Sequence, residues 1–373
     1  MRRLPTVLIL LLTLAGCSKL GSETILVGEY GSLTGGTATF GQSTHQGTML
    51  ATEEINAAGG LLGKMVKVIT EDDQSRPEEA KTAVLKLIKQ NKVVAVLGEV
   101  ASSRSLAAAP ECQKSKIPMI SPASTNPKVT EIGDYIFRAC FVDTFQGGAM
   151  AKFARNDLKL GRVAVLKDVK NDYSVGLADF FEKTFKAEGG EVAVVQSYSE
   201  GDIDFRAQLT AIKGTNPDGI FVPGYYTEVG LIARQTRELG LAVPLLGGDG
   251  WDSRKTLEIG GAAVNGSYFG THYASDYPDP AIQSFIQKFK SKYGVVPDAM
   301  AVLGYDAAGL LFDAIKRAGS AEPTKIRDAL ATTVGFQGIS GKLTMDANRN
   351  AKKKLVILKV ENGAIKFHAQ VNP

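Results

Sequence analysis

Histidine, cysteine and tryptophan are scarce in this 373-residue chain, which has three, three and one of them respectively. The histidines, His45, His272 and His368, show no metal-ligand spacing to one another or to a cysteine, so we expect neither a metal site nor a cofactor. An oxidising compartment would permit a disulfide between Cys112 and Cys140. The sequence does not show whether these two residues are close, so their pairing stays open.

Neither sign of charge dominates the sequence. The formal net charge is only +4, and Arg2 and Arg3 supply two of those charges. Acidic and basic residues are interspersed, which gives no electrostatic case for nucleic-acid binding. The content of 44% hydrophobic and 22% charged residues is ordinary for a soluble globular protein, and 373 residues are too many for one core. We therefore expect two domains.

Long hydrophobic runs are also missing, since no segment approaches the roughly 20 apolar residues of a membrane helix. One short apolar run, Val7–Leu14, follows the basic N-terminus and leads into Leu14-Ala15-Gly16-Cys17, which resembles the bacterial lipobox. This pattern predicts a lipoprotein signal peptide over residues 1–16, lipidation of Cys17 and a linker over residues 17–23. An ordinary signal peptide with an incidental cysteine is the alternative. We expect a periplasmic protein whose membrane contact is the lipid anchor alone.

From Thr24 onward, apolar segments alternate with amphipathic ones. Thr24–Tyr30 is predicted to be a buried strand, and the helix after it ends at Gly59-Gly60. The alternation predicts βαβ units with parallel sheets covered on both faces, and it restarts at Gly161–Asp168. The sequence therefore predicts an α/β protein with two similar lobes. Near the C-terminus, an Asn362-Gly363 turn between two apolar segments predicts a β-hairpin.

Different chemistry follows the predicted strands in the two halves. Ligands of open α/β sheets bind beyond the carboxyl ends of the strands, near helix N-termini. In the first half, these positions carry "EVASSRS" and "SPASTNP", which are rich in hydroxyl groups. In the second half they carry "PGYYTEVG" and "GGDGWDS", which supply tyrosines and acids. This difference favours a zwitterion held between the lobes, although Ser102 as a simple helix N-cap would explain part of the pattern.

These segments resemble the periplasmic leucine/isoleucine/valine-binding proteins, the receptors of branched-chain amino-acid ABC importers. The resemblance runs from "ILVGEYGSLTGGTATFG" to "GKLTMDANRN", with the further markers "EINAAGGLLGK", "EVASSRS", "ISPASTNP", "YIFRAC", "TFQG" and "GYYTEVG". It implies the type I periplasmic binding fold, with an N-terminal lobe over residues 24–141 and 273–345 and a C-terminal lobe over residues 142–272 and 346–373. A three-strand hinge is expected near Phe137–Asp143, Tyr268–Tyr273 and Leu343–Asn348.

The resemblance also implies the ligand contacts. Ser102 and Thr125 are expected on the ligand carboxylate, whereas Asp249 is expected to pair with the ammonium, where relatives carry glutamate. Arg104 departs from the contacts that the resemblance implies, because its side chain would favour an acidic or polar ligand if it pointed into the site. The predicted ligand contacts are Ser102, Ala123, Ser124, Thr125, Tyr173, Tyr225 and Asp249, and the predicted side-chain pocket contains Phe40 and Met300.

We therefore expect a monomeric substrate-binding lipoprotein that captures an aliphatic or branched-chain L-amino acid and delivers it to an ABC permease in the inner membrane. A sensor that binds another small carboxylate or amide for a signalling partner is the alternative. An enzyme would need a triad such as Ser102, His45 and Asp249. However, the sequence has no Gly-x-Ser-x-Gly motif, and no histidine falls in a predicted strand-end loop of the second lobe.

Overall fold

The computed structural model describes residues 24–373, so the predicted signal peptide, the lipidation of Cys17 and the linker lie outside the described residues. The first sheet has five parallel strands in the order β2-β1-β3-β4-β5. Its strands are β1 (Ile25–Gly31), β2 (Val66–Asp72), β3 (Ala95–Leu97), β4 (Met119–Ser121) and β5 (Ile136–Arg138).

The second sheet has seven strands in the order β15-β14-β10-β9-β8-β6-β7. It consists of a parallel part with β6 (Arg162–Asp168), β7 (Glu191–Tyr198), β8 (Gly219–Phe221), β9 (Leu245–Gly247) and β10 (Tyr268–Thr271), and an antiparallel hairpin with β14 (Leu355–Glu361) and β15 (Ala364–Val371). A small antiparallel sheet contains β11 (Phe336–Gly338), β12 (Gly341–Met345) and β13 (Ala351–Lys352).

Helices connect the strands of both larger sheets. They are α1 (Ala38–Ala57), α2 (Pro77–Lys89), α3 (Ser102–Ser115), α4 (Lys128–Glu131), α5 (Asp143–Lys152), α6 (Asp172–Ala187), α7 (Arg206–Lys213), α8 (Tyr226–Glu238), α9 (Arg254–Gly260), α10 (Pro280–Tyr293), α11 (Ala299–Ala318) and α12 (Pro323–Ala331). One α-helical segment, α5, continues into a π-helical turn over Phe153–Asp157. None of the helices in residues 24–373 combines the length and apolar character needed to cross a membrane.

The central strands are buried on both faces because helices cover both sides of each sheet. In β3, Ala95 and Leu97 pack in one hydrophobic cluster with Leu311 of α11, whereas Val96 packs in another with Val84 of α2. Alternate side chains of a strand point to opposite faces, so such a strand must be apolar throughout. This confirms the predicted α/β class with two parallel-sheet lobes.

The chain passes between the two lobes three times, and the third passage differs from the prediction. The first follows β5 and the second follows β10. Residues Ala351–Lys352 still pair with β12, and the Arg349 carbonyl accepts from Arg138 N of the first lobe at 3.3 Å. The chain joins the second sheet only at Leu355. The third crossing therefore lies at 353–354, later than Leu343–Asn348, and residues 346–352 stay with the first lobe.

Two local features have clear outcomes. The predicted hairpin forms, and Asn362 (φ 52°) and Gly363 (φ 73°) adopt the left-handed backbone that its two-residue turn requires.

Cys112 and Cys140 are both buried free thiols, packed in separate hydrophobic clusters. The two cysteines of the described chain therefore form no disulfide.

Candidate functional site

Loops at the strand ends of the two lobes face each other across a cleft, and the cleft is shut. Ser103 Oγ of the first lobe donates to Asp172 Oδ2 of the second at 2.8 Å and accepts from Asp172 N at 2.9 Å. Asn126 Nδ2 donates to the Asp172 carbonyl at 2.8 Å, and Thr39 N donates to the Tyr226 hydroxyl at 3.2 Å. Every residue of the predicted site is at most 6% exposed. All of them are therefore buried, and those that belong to one hydrophobic cluster drawn from both lobes are Phe40, Ala123, Tyr173, Tyr225 and Met300.

Ser102 is the first residue of α3, and the prediction that its side chain caps the helix is wrong. The N-cap position belongs to Ala101, and no side-chain cap bond forms there among the described residues. Instead, Glu99 accepts from Ala101 N, and its Oε1 accepts from Ser32 Oγ at 2.9 Å, which fastens the turn before the helix. Ser102 Oγ accepts from Asn126 N at 3.2 Å, so its own hydrogen is available for a ligand.

Ser124 and Thr125 are neighbours whose hydroxyl groups have different environments. Ser124 Oγ bonds to the carbonyls of Glu99 and Val100 at 2.9 and 3.0 Å, so it fastens two loops together and is not free for a ligand. Thr125 is 1% exposed, and its Oγ1 makes no hydrogen bond of normal geometry in residues 24–373, although the hydroxyl is near enough to Asp143 to lower the pKa of that carboxyl. The buried guanidinium of Arg138 donates to the Ser124 carbonyl at 2.5 Å, which holds this loop in place.

Aromatic rings form the apolar part of the cleft. Tyr173 and Tyr225 of the second lobe stack with ring centroids 5.3 Å apart, and Phe40 of the first lobe meets Tyr225 edge-on at 5.4 Å. Met300 and Ala123 belong to the same hydrophobic cluster. The Tyr173 hydroxyl accepts from Gly250 N at 3.1 Å, and burial raises the pKa of this phenol, which therefore stays neutral. This surface suits an aliphatic side chain.

Asp249 occupies the polar end of the cleft, where both of its carboxylate oxygens have donors. Oδ1 accepts from Gln146 Nε2 at 3.0 Å, and Oδ2 lies 3.1 Å from His272 Nε2. The His272 ring stacks on Phe141 with centroids 3.8 Å apart. Burial lowers the pKa of His272, so the imidazole is neutral and donates its Nε2 hydrogen to Asp249. Asp249 is therefore held rigidly rather than left free to swing.

A second carboxyl group, that of Asp143, lies beside Asp249. Its Oδ1 accepts from the same Gln146 Nε2 at 3.0 Å, whereas its Oδ2 is buried without a partner in the described part of the chain. Burial, followed by the negative charge of Asp249, raises the pKa of Asp143 to about 8. The polar end of the cleft thus contains two buried carboxyl groups and the unpartnered hydroxyl of Thr125.

Sequence reasoning missed Asp143, Gln146 and His272. Asp143 and Gln146 are three residues apart in the first turn of α5, inside the segment "VDTFQG", where a helical spacing of three places both side chains on one face. His272 directly follows β10, so the expectation that no histidine lies at a strand end of the second lobe is also wrong. Its partner Asp249 lies 23 residues earlier in the sequence, so the local sequence gave no hint of this contact.

Arg104 does turn inward and is 2% exposed. Its Nη2 donates to Glu200 Oε1 of the other lobe at 3.2 Å, and its Nη1 lies 3.9 Å from Glu99 Oε2. Two carboxylates therefore face the guanidinium already. Its Nε and Nη1 nevertheless make no hydrogen bond among residues 24–373, so Arg104 links the lobes and also keeps buried donors that an acidic or polar ligand could use.

The residues of the conceivable catalytic triad have other partners. His45 Nδ1 bonds to Glu29 Oε2 at 2.6 Å, Ser102 Oγ accepts from a backbone N–H, and Asp249 contacts His272. Within residues 24–373, Ser102, His45 and Asp249 thus make no hydrogen bonds to one another, and no nucleophile is activated in this way.

Comparison with known proteins identifies relatives over nearly the whole described chain. A family model described as periplasmic binding protein matches residues 24–364. The leucine-, isoleucine-, valine-, threonine-, and alanine-binding protein of Pseudomonas aeruginosa is 30% identical over 334 residues, which are 89% of this chain and 88% of that protein.

Solved structures agree with this similarity. The leucine-binding protein LivK of Thermotoga maritima is 43% identical with a TM-score of 0.90, and the match covers 94% of this chain and 99% of that one. LivJ of Streptococcus pneumoniae, solved with isoleucine, is 34% identical with a TM-score of 0.89, covering 94% and 100%. A solute-binding protein of Rhodopseudomonas palustris, solved with 3,4-dihydroxybenzoic acid, is 27% identical with a TM-score of 0.84, covering 94% and 97%.

Proposed function

Because this chain belongs to the periplasmic binding protein family, we propose that it is the substrate-binding component of an ABC importer and captures an L-α-amino acid between its lobes. One observation carries the proposal: the shut cleft has hydroxyl groups on one side and buried carboxyl groups on the other. Thr125 Oγ1 is buried between them without a partner in the described residues, which leaves a hydrogen-bonding group for a ligand to satisfy.

The ligand carboxylate would lie at the N-terminus of α3. There it accepts from the Ser102 hydroxyl, from Thr125 and from the free N–H groups of the first helical turn, whose dipoles favour negative charge. A buried carboxylate is tolerable only when it is fully hydrogen-bonded. Each such bond to a charged group contributes roughly 1.5–3 kcal/mol.

The ammonium group would face the Ala123 carbonyl, Thr125, and the carboxyl groups of Asp143 and Asp249. A buried ammonium requires an opposite charge, and Asp249 supplies one from a fixed position. The aliphatic side chain would pack on Phe40, Tyr225 and Met300, which belong to one hydrophobic cluster.

Capture would proceed by closure of the two lobes around the ligand. The bonds of Ser103 and Asn126 to Asp172, and of Arg104 to Glu200, join the lobes in the shut structure and would break as the lobes open. The closed monomer then delivers the amino acid to its permease, and Cys17 anchors it to the membrane through lipid.

Isothermal titration calorimetry with the twenty amino acids, acetate and 3,4-dihydroxybenzoate tests the proposal. We expect submillimolar binding of aliphatic amino acids, and a roughly 10- to 100-fold weaker affinity in Ser102→Ala, where one bond to a charged group is lost. Ser320→Ala, on a loop away from the cleft, is the matched control. Binding of the carboxylates without an amine, together with no amino-acid binding, would show that the ligand assignment is wrong.

A transport assay distinguishes the proposed importer component from the alternative, a sensor that reports a carboxylate to a signalling partner. In a deletion strain, we expect slower uptake of the labelled amino acid and restoration by the intact gene. Unchanged uptake together with a lost transcriptional response would favour the sensor.

A further inference from the structure

One amide joins the two carboxyl groups at the polar end of the cleft. Gln146 Nε2 donates to Oδ1 of both Asp143 and Asp249, each at 3.0 Å, and Gln146 Oε1 accepts from Asp249 N at 2.9 Å. A backbone N–H can only donate, so the carbonyl side of the amide must face it and both Nε2 hydrogens point to carboxyl groups. Gln146 is thus a positioning residue that sets the separation of the two acids.

The remaining oxygens of the two acids differ in their donors. Asp249 Oδ2 is matched by the Nε2 hydrogen of His272 at 3.1 Å. Asp143 Oδ2 is fully buried and makes no hydrogen bond of normal geometry among residues 24–373, and the nearby Thr125 hydroxyl lowers the pKa of this carboxyl only in part. Thr125 Oγ1, which is likewise unpartnered in that range, belongs to the same corner, since Asp143 N donates to the Thr125 carbonyl at 2.9 Å. An ionised oxygen without a donor is costly in such a site, so it needs either a proton or a donor from a ligand.

We propose that Asp143 and Asp249 hold one proton between them when the cleft is empty, and that a primary ammonium ligand replaces this proton on binding. The inference rests on the proposed function, because it requires a ligand with an amine. Protons and charge balance in this exchange. The proton leaves Asp143 for solvent, and the ammonium keeps its three hydrogens. Two carboxylates then face one positive charge. Gln146 would keep both acids in place throughout.

The charged and titratable groups around Asp143 agree with this exchange. Burial raises the pKa of Asp143 to about 8 and the negative charge of Asp249 adds to this rise, whereas the side chains of Thr125 and Gln146 and the buried Arg138 oppose it. Tyr173 and Cys140 stay neutral because burial raises the pKa of each. The further groups near this corner are His272, whose pKa is lowered by burial, and the buried Lys353.

The exchange predicts the pH dependence of binding. If the ligand-free protein keeps Asp143 buried as in the shut structure, protons compete with the ammonium below pH 8, so affinity should rise about tenfold for each unit from pH 5 to pH 7 and level off near pH 8. At pH 7 about 0.9 proton should be released per ligand, and at pH 8.5 only about 0.2, if the pKa of Asp143 is about 8.

The test is calorimetry of the amino acid that binds best, in buffers of different ionisation enthalpy at pH 6, 7 and 8.5. The released proton count should fall to near zero in Asp143→Asn, which keeps the size of the side chain. Glu228→Gln is the matched control, because Glu228 is another buried acid whose pKa burial raises, and its carboxylate accepts from Gly201 N and makes no bond to Asp143, Gln146 or Asp249. This control should release as many protons as the wild type.

The results separate the inference from the proposed function. Amino-acid binding without proton release at pH 6 and 7, or with equal release in Asp143→Asn, would overturn the proton exchange and leave the function standing. Absence of amino-acid binding would overturn both. If Asp143→Asn does not fold, the pH dependence of the wild-type affinity decides, and a flat profile between pH 5 and pH 7 overturns the exchange.

Discussion

Thr125→Val separates ligand binding from fold stability, because it replaces a buried hydroxyl by a methyl group of nearly the same size. Thr125 Oγ1 makes no hydrogen bond of normal geometry in residues 24–373, so the ligand-free protein loses at most a weak contact with the Asp143 carboxyl. Burying an unsatisfied hydroxyl costs about 1–3 kcal/mol by mutational measures, less where an open cleft lets water reach it. We therefore expect an unchanged or higher melting temperature in the free variant.

The ligand complex should respond in the opposite direction. If the hydroxyl contacts the charged ends of an amino acid, its loss removes about 1.5–3 kcal/mol of binding free energy, which raises Kd about 10- to 150-fold. Calorimetry gives Kd, and thermal unfolding of the free protein gives the change in stability.

Thr130→Val is the matched control. The Thr130 hydroxyl is also buried, but it donates to Asn350 Oδ1 at 3.0 Å and accepts from Arg138 Nη2 at 3.2 Å. Its removal should destabilise the free protein by about 1–2 kcal/mol and change Kd much less. A Thr125→Val protein that is less stable yet binds with unchanged Kd would show that the hydroxyl serves the fold and does not contact the ligand.

Three further predictions follow from particular contacts. Asp249→Ala should weaken amino-acid binding about 10- to 100-fold and des-amino analogues much less; an equal loss for both contradicts the ammonium role. Glu200→Gln breaks the lobe-bridging pair with Arg104 and should raise Kd about 2- to 5-fold by calorimetry, whereas Asp204→Asn, within one lobe, should not. Gly363→Ala should lower the free energy of unfolding by about 1 kcal/mol in urea, because its φ is +73°; no change contradicts the turn assignment.

Local patterns were enough to predict much of the fold. The apolar segments became parallel strands because helices cover both faces, and the Asn362-Gly363 pair became the hairpin turn because it tolerates positive φ. The third crossing could not be located in this way. It depends on the pairing of the two-residue strand Ala351–Lys352 with β12. So short a strand shows no alternation of apolar and polar residues from which it could be predicted.

The positions of Thr125, Tyr225 and Asp249 were predictable, because they follow parallel strands and the fold class dictates that such positions meet, whereas their roles toward a ligand stay predictions. Asp143 and Gln146 escaped prediction because their helix follows a crossing between the lobes. His272 escaped because only the tertiary fold brings it to Asp249. The role of Ser102 as a cap was wrong, since Glu99 takes up the backbone donor beside it.

The decisive measurement is a crystal structure of the protein with its tightest-binding amino acid. We expect a carboxylate bonded to Ser102 Oγ and Thr125 Oγ1 at the start of α3, and an ammonium within hydrogen-bonding distance of Asp249. A ligand bound outside the cleft, or one whose amine points away from both Asp143 and Asp249, would contradict this expectation.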